Sequence, residues 1–260
     1  MLIDSHAHLD AAEFDADREA VIARARAAGV AAQVIPAIAL AGFAKLRDLC
    51  ATRSGQCHTG LHPAYGLHPM YLAEHRPAHV DELRGWIERE RPVAVGECGL
   101  DFFVEGLDAD LQRDYFQRQL DLARDFDLPL ILHARKAVDE IIVTLRKMDP
   151  LRGVVHSFSG SVEQARQLWK LGFCIGIGGP VTYERARRLR DIVASMPIEF
   201  LLLETDAPDQ PLSGHRGERN EPARLRGVAD VVAALRNEST DAVAAATSRN
   251  AMRLFGLPGD

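Results

Sequence analysis

Eight short apolar segments recur along this chain, and amphipathic stretches of 11 to 20 residues separate them. The segments are residues 2–4, 32–38, 58–67, 93–97, 128–133, 153–156, 173–178 and 200–206. Short apolar runs that alternate with helical patterns are typical of parallel strands buried on both faces. Eight such units within 260 residues favour a closed α/β barrel of the (β/α)8 TIM type over an open sheet. We therefore predict a single barrel domain over residues 1–260.

Three of the stretches between the strands carry signals of helix boundaries. Residues 17–28, 108–127 and 161–171 place apolar side chains at helical spacing, and the last of them begins at Ser161 and stops before Gly172. The connection at residues 207–221 contains two prolines and two glycines. Loops of this length in compact domains are usually functional or mobile.

Charge and composition exclude some functions. The 31 basic and 37 acidic residues give a net charge of −6, which argues against a protein that coats nucleic acid through a broad basic surface. No run of 18 apolar residues predicts a membrane span, and the first residues do not resemble a secretory signal. The four cysteines (Cys50, Cys57, Cys98 and Cys174) are scattered, which favours a reducing compartment. We predict a cytoplasmic monomer without an obligate protein partner.

Residues that can bind metal ions end most of the apolar segments. They are His6, His8, Glu97, His133, His156 and Asp206. Because the carboxyl ends of barrel strands open onto one face, we expect these side chains to converge there. His6 and His8 are two residues apart on an extended chain, so both point to the same side.

This ligand set favours a catalytic centre with two divalent ions per chain. Imidazole and carboxylate ligands suit Zn, Mn, Fe, Ni or Mg, and the absence of thiolates disfavours a closed structural zinc site. Glu97 can bridge two ions through its two oxygens. Two divalent ions bring +4 and two carboxylates return −2, so about +2 remains to attract an anionic substrate such as a phosphodiester. A metal ion also lowers the pKa of a bound water to about 7.

Further candidates are weaker when each is taken alone. The motif GLHP occurs at 60–63 and again at 66–69, and we favour His68 over His62 because His62 would then lie inside the third strand. Arg135 is a candidate phosphate contact or part of a surface ion pair. Glu204 is a candidate supporting carboxylate or a buried, hydrogen-bonded one. The glycines at 176, 178 and 179 fit either a phosphate loop or a close backbone approach.

Taken together, these segments resemble the TatD family of metal-dependent deoxyribonucleases within the amidohydrolase-like barrel superfamily. The resemblance covers nearly the whole chain. The matching segments are DSHAHLD at 4–10, GLHP at 66–69, GECGLD at 96–101, HAR at 133–135, HSFSG at 156–160, ETDAP at 204–208 and RNEP at 219–222. The chain departs from the family at Ala7, where Cys is frequent, at Ala134, where Ser or Thr is common, and in the doubled GLHP.

The resemblance implies a division of the ligands. His6, His8 and Asp206 would hold one ion, His133 and His156 the second, and Glu97 would bridge. It also implies a phosphodiesterase, most simply a deoxyribonuclease acting at strand ends on DNA that it binds transiently.

In this interpretation a metal-activated hydroxide attacks phosphorus and Asp206 deprotonates the attacking water. Glu204 supports the site, while His68 and Arg135 hold the phosphate. One rival is a barrel amidohydrolase or lactonase, although such enzymes often bridge their metals with a carboxylated Lys, and no Lys lies near Glu97. The other rival is a non-catalytic binding protein on an enzyme scaffold, against which the complete ligand set argues.

Overall fold

The computed structural model describes residues 1–51, 60–148 and 150–257. Eight parallel strands form one sheet in which each strand pairs with the strand before it in the chain. The strands are β1 (Leu2–Asp4), β2 (Val30–Pro36), β3 (Gly60–Tyr65), β4 (Ala94–Asp101), β5 (Leu130–Arg135), β6 (Gly153–Val155), β7 (Phe173–Ile177) and β8 (Leu201–Leu203). The helices are α1 (Arg18–Ala27), α2 (Phe43–Ala51), α3 (His79–Glu90), α4 (Ala109–Asp125), α5 (Val138–Leu145), α6 (Val162–Lys170), α7 (Arg187–Ser195), α8 (Leu225–Arg236) and α9 (Thr240–Phe255). The predicted (β/α)8 barrel is confirmed.

Hydrogen bonds close the seam between the first and the last strand. The backbone N–H of Ser5 donates to Leu203 O at 2.9 Å, and that of Asp206 donates to His6 O at 2.9 Å. Beside these bonds, the buried carboxylate of Asp4 accepts hydrogen bonds from the backbone N–H and the hydroxyl of Thr205. This seam brings the end of β1 next to the end of β8.

The predicted helix starts at 108 and 161 are observed. Asp108 caps α4 by accepting from the backbone N–H groups of residues 110 and 111. Ser161 caps α6 and forms a reciprocal capping box with Gln164. The predicted stretch 17–28 forms α1, which begins one residue after Asp17.

Strand bounds differ most from prediction where the chain enters the mouth of the barrel. β4 continues to Asp101, because the chain keeps pairing with β5 beyond Glu97. By contrast, β6 ends at Val155 and β8 at Leu203, before His156 and Asp206, and the backbone is left-handed shortly after each strand, at Ser157 (φ 47°) and at Asp206 (φ 55°). The first residues of the third predicted strand, 58 and 59, lie outside the described residues. Cys57 also lies outside them.

The core has two layers, and the inner layer positions the site. One cluster fills the barrel with a residue from every strand, such as Ile131 of β5 and Leu202 of β8, together with the last turns of α9. The larger cluster packs the helices against the outside of the sheet. His133 and Glu204 each follow an inward-facing residue by two positions, so their side chains lie above the apolar filling of the barrel.

Two remaining predictions concern cysteines and membranes. Cys50, Cys98 and Cys174 are buried, as expected for small apolar residues. Among the helices of the described residues, none combines the length and apolar character required to cross a membrane.

Candidate metal centre

All six predicted metal ligands lie at the mouth of the barrel. Glu97 belongs to β4 and His133 to β5, while the other four follow β1, β6 and β8 within a few residues. His6 and Glu97 are almost completely buried, at 0% and 1% exposure. In the described part of the chain, three sets of His, Glu and Asp side chains bring ligand atoms within 4.8 Å of one another, and all three lie here.

Glu97 lies between two groups of imidazoles, and each of its oxygens faces one group. Oε2 is 3.2 Å from His6 Nε2 and 3.6 Å from His8 Nε2. Oε1 is 2.9 Å from His133 Nδ1 and 2.8 Å from His156 Nε2. Burial alone would raise the pKa of Glu97, but the imidazoles around it hold that pKa well below its usual range. An ionised carboxylate with one oxygen toward each group has the arrangement that a bridging ligand needs.

Asp206 faces the group formed by the two N-terminal histidines. Its Oδ1 is 3.5 Å from His6 Nε2 and 3.7 Å from His8 Nε2. Its Oδ2 accepts a hydrogen bond from Gln210 Nε2 at 2.5 Å, and the same amide donates to Ser157 Oγ at 2.6 Å. Gln210 therefore orients the Asp206 carboxylate. Sequence reasoning missed Gln210, and its only signal was its place in the long loop after β8.

His156 and Glu204 form the buried side of the site. The ring of His156 stacks on that of His6, with centroids 4.0 Å apart and planes 13° apart. The two nitrogens of His156 face different carboxylates: Nε2 faces Glu97, and Nδ1 lies 3.8 Å from Glu204 Oε1. Burial raises the pKa of Glu204 to about 8, and its Oε1 accepts from the backbone N–H of Ser157 at 2.5 Å. Glu204 touches the site through His156.

The glycines at the end of β7 and just after it make room for these side chains. A Cβ on Gly176 would lie 2.0 Å from Glu204 Oε2, and a Cβ on Gly179 would lie 2.0 Å from Gln210 O. The glycine-rich segment was expected to be either a phosphate loop or a close backbone approach, and the structure supports the close approach.

His133 is oriented by a carboxylate that sequence reasoning missed. Asp101, at the end of β4, places Oδ2 2.8 Å from His133 Nε2. Because a neutral imidazole that donates from Nε2 keeps a lone pair on Nδ1, the nitrogen facing Glu97 is free to bind a metal ion. Burial would raise the pKa of Asp101, but hydrogen bonds from His133 and two backbone N–H groups lower it to about 2. The sequence signal was the Asp that ends the GECGLD segment.

His68 has the opposite arrangement. Its Nδ1 accepts a hydrogen bond from the backbone N–H of Met70 at 3.1 Å, so a neutral His68 carries its proton on Nε2. That Nε2 is 2.9 Å from Glu97 Oε1. Although His68 is close enough to be counted among the ligands, its tautomer makes it a hydrogen-bond donor. As expected, His62 lies inside β3.

Variants of the two GLHP histidines should separate these roles. We expect His68→Ala to slow turnover while the metal content stays at the wild-type level, because the variant removes a donor and no ligand. We expect His62→Ala to lower the melting temperature more than the rate, because its half-buried ring lies in a barrel strand. Metal analysis, kcat and thermal unfolding of both variants test this, and the reverse pattern would show that the roles are exchanged.

Arg135 lies at the rim, at the end of β5. Its guanidinium stacks on the ring of Phe103, 3.7 Å from the ring centroid. It forms no ion pair with a described carboxylate, so the ion-pair alternative has no support there. Its hydrogen-bond donors remain accessible to a ligand.

The long loop after β8 is anchored to the barrel. Asn220 Nδ2 donates to Thr205 O at 2.9 Å, and Arg219 pairs with Asp17 through two hydrogen bonds of 2.8 and 2.7 Å. The RNEP segment thus holds the loop that carries Gln210. Its contribution to the site is structural support.

The donors fit divalent metal ions. The Nε2 atoms of His6 and His8 are 3.1 Å apart, close to the spacing of two ligands that share an ion with metal–nitrogen bonds of about 2.0–2.1 Å. Imidazoles and carboxylates without thiolates are the ligands of hydrolytic metals. A (β/α)8 barrel with such a centre at the carboxyl ends of its strands is typical of metal-dependent hydrolases.

Comparison with known proteins places the chain within that class. A family model described as TatD related DNase matches residues 3–256. The uncharacterised metal-dependent hydrolase YjjV of Escherichia coli K12 is 41% identical over 259 residues, which cover 98% of each chain. Its crystal structure, that of a TatD homologue, superposes with a TM-score of 0.92 over 99% of this chain and 98% of that one, at 40% identity. The 3'-5' ssDNA/RNA exonuclease TatD of Pantoea sp. At-9b is 36% identical over 98% of this chain and 100% of its own. The chain belongs to the TatD family of metal-dependent hydrolases.

Proposed function

We propose that this protein is a two-metal phosphodiesterase, most specifically a deoxyribonuclease that removes nucleotides from strand ends. The observation that carries the proposal is the position of Glu97, with one oxygen toward His6 and His8 and the other toward His133 and His156. Two ions that share one carboxylate are typical of enzymes that cleave phosphodiesters by in-line displacement. In this proposal residues 1–260 form a single hydrolase domain.

The ligands divide between the two ions as the two oxygens of Glu97 suggest. His6, His8 and Asp206 would hold one ion, His133 and His156 the other, and Glu97 would belong to both. When bound, divalent ions neutralise the phosphoryl charge and make a water acidic near neutral pH.

The remaining chemistry belongs to side chains of this chain. Asp206 would accept the proton of the attacking water, and Gln210 would hold its carboxylate in one orientation. His68 presents an Nε2–H donor and Arg135 a guanidinium, and both would hold the phosphate through charge-assisted hydrogen bonds.

Two observations support a nucleic acid as the substrate. The Pantoea relative is named as an exonuclease on single-stranded DNA and RNA. With both ions bound, Glu97 and Asp206 would leave about +2, and the ionised Asp101 behind His133 would reduce this to about +1. A positive site suits a phosphodiester in a chain whose net charge is −6.

The amidohydrolase alternative has less support. Barrel enzymes of that kind often place a carboxylated Lys between their metals, whereas here the carboxylate between the imidazole groups is Glu97. The lysine that follows β5, Lys136, does not take that place: its ammonium lies over the ring of Phe103, 4.7 Å from the ring centroid.

Metal analysis combined with a nuclease assay tests the proposal. We expect about two divalent ions per chain, and about one in His8→Ala, because that variant removes a ligand of one ion only. End-labelled single- and double-stranded DNA should be shortened from an end, and a chelator should abolish the reaction. Protein without bound metal, or cleavage that a chelator leaves unchanged, would contradict the proposal. Bound metal without turnover of any phosphodiester would favour the binding-protein alternative.

A further inference from the structure

Two aromatic side chains are exposed at the mouth of the barrel. Among the described Phe, Tyr and Trp residues, only Tyr71 and Phe103 are exposed, at 37% and 47%. Tyr71 follows β3, and its ring lies against that of His68 with centroids 5.5 Å apart. Phe103 follows β4, the strand that carries Glu97. The exposed aromatics thus flank the candidate metal centre.

Phe103 is accompanied by two cations from the next strand end. The guanidinium carbon of Arg135 lies 3.7 Å from the centroid of the Phe103 ring, and the ammonium of Lys136 lies 4.7 Å from it. We call these three residues the aromatic platform. Both cations lie over the ring, and 47% of Phe103 remains exposed beside them. An exposed flat ring next to positive charges suits a ligand that combines a planar base with a phosphate.

A single carboxylate connects the aromatic platform to the candidate metal centre. Asp101 Oδ1 accepts from the backbone N–H groups of Phe103 and Val104, at 2.9 and 3.0 Å, while Oδ2 is 2.8 Å from His133 Nε2. The backbone N–H of Phe102 also donates to Arg135 O at 2.9 Å. The loop that carries Phe103 is therefore held in a defined position relative to His133.

We propose that the aromatic platform stacks an unpaired nucleobase of the substrate next to the phosphodiester at the metal centre. This inference rests on the proposed function, since it assigns a nucleobase subsite to the same mouth. A base can lie flat on Phe103 only when it is unstacked from its neighbours, so the platform selects single-stranded ends. Arg135 and Lys136 would pair with the phosphates on either side of that base. Stacking on an aromatic ring tolerates every base, so we expect little sequence preference.

Binding of chemically modified oligonucleotides tests the platform. The experiment uses two single-stranded probes with phosphorothioate linkages at the 3' end, which slow cleavage. The terminal nucleosides are normal in one probe and abasic in the other, and the probes are otherwise identical. Anisotropy with metal-loaded protein gives Kd for each. Removal of one base–aromatic stack costs on the order of tenfold in affinity. We therefore expect Phe103→Ala to raise Kd about tenfold for the normal probe and less than twofold for the abasic one.

Three further variants make the result specific. Phe103→Trp should retain affinity, whereas Phe103→Leu should behave as Phe103→Ala because it keeps apolar volume but loses the flat ring. Val143→Ala, a matched control that trims a 46% exposed side chain on α5, should leave both Kd values unchanged. Thermal unfolding confirms that the variants are folded.

The outcomes separate this inference from the proposed function. Equal weakening of both probes by Phe103→Ala, or no weakening of either, would overturn the nucleobase subsite. Failure of wild-type protein to cleave an unmodified oligonucleotide would overturn the nuclease proposal, while base-dependent binding through Phe103 would still support the platform.

Discussion

Replacing Asp206 by Asn is expected to lower kcat on a single-stranded oligonucleotide by at least about 10³-fold. The variant keeps the shape of the side chain and removes both a negative ligand and a proton acceptor. Loss of a general base alone typically costs about 10²–10⁴-fold. Because Oδ1 of Asp206 lies 3.5 Å from His6 Nε2, the same change should weaken the binding of the ion near that histidine.

The measurement is kcat at saturating metal, where weaker ion binding is partly compensated. Glu204→Gln is the matched control, because Glu204 lies behind His156, with Oε1 3.8 Å from His156 Nδ1. Groups that support a metal ligand from behind typically contribute about 10–100-fold, and we expect about tenfold. If Asp206→Asn stays within about tenfold of the wild-type rate, Asp206 is not the base, and the proton must pass to a histidine or to bulk water.

Glu97→Gln is expected to lower metal affinity and turnover together. The amide keeps the shape of Glu97 but cannot offer an anionic oxygen to each of the two imidazole groups. Groups that support a metal ligand from behind already contribute about 10–100-fold to metal affinity, so loss of the charge on the ligand itself should cost at least about 10²-fold. We expect the more weakly held ion to be lost at ordinary metal concentrations and the rate to fall with it.

Calorimetric titration of metal-free protein, combined with elemental analysis after dialysis, measures this effect. Glu163→Gln, on the exposed face of α6, is the control and should bind both ions with wild-type affinity. Two ions retained at wild-type affinity in Glu97→Gln would show that Glu97 does not bridge them.

Much of the barrel could be predicted because its signals are local. Period and length of the apolar segments indicate buried parallel strands, and Ser161 and Asp108 mark helix starts through hydrogen bonds within three residues. The predicted strand ends were wrong at the mouth of the barrel, where β8 ends at Leu203 and the backbone becomes left-handed at Asp206. A ladder ends where tertiary contacts to neighbouring strand ends become more favourable, and such contacts have no local signature.

The sequence by itself determined the eight-unit barrel, the residues that collect at its mouth and the family resemblance, because strand polarity alone sends all strand ends to one face. Only the tertiary structure decided how these residues act. Residues distant in sequence set the chemistry of each ligand: Asp101 frees Nδ1 of His133, the backbone of Met70 makes His68 a donor, and Gln210 orients Asp206. A tautomer depends on which group approaches each ring nitrogen in space, and that information exists only once the chain has folded.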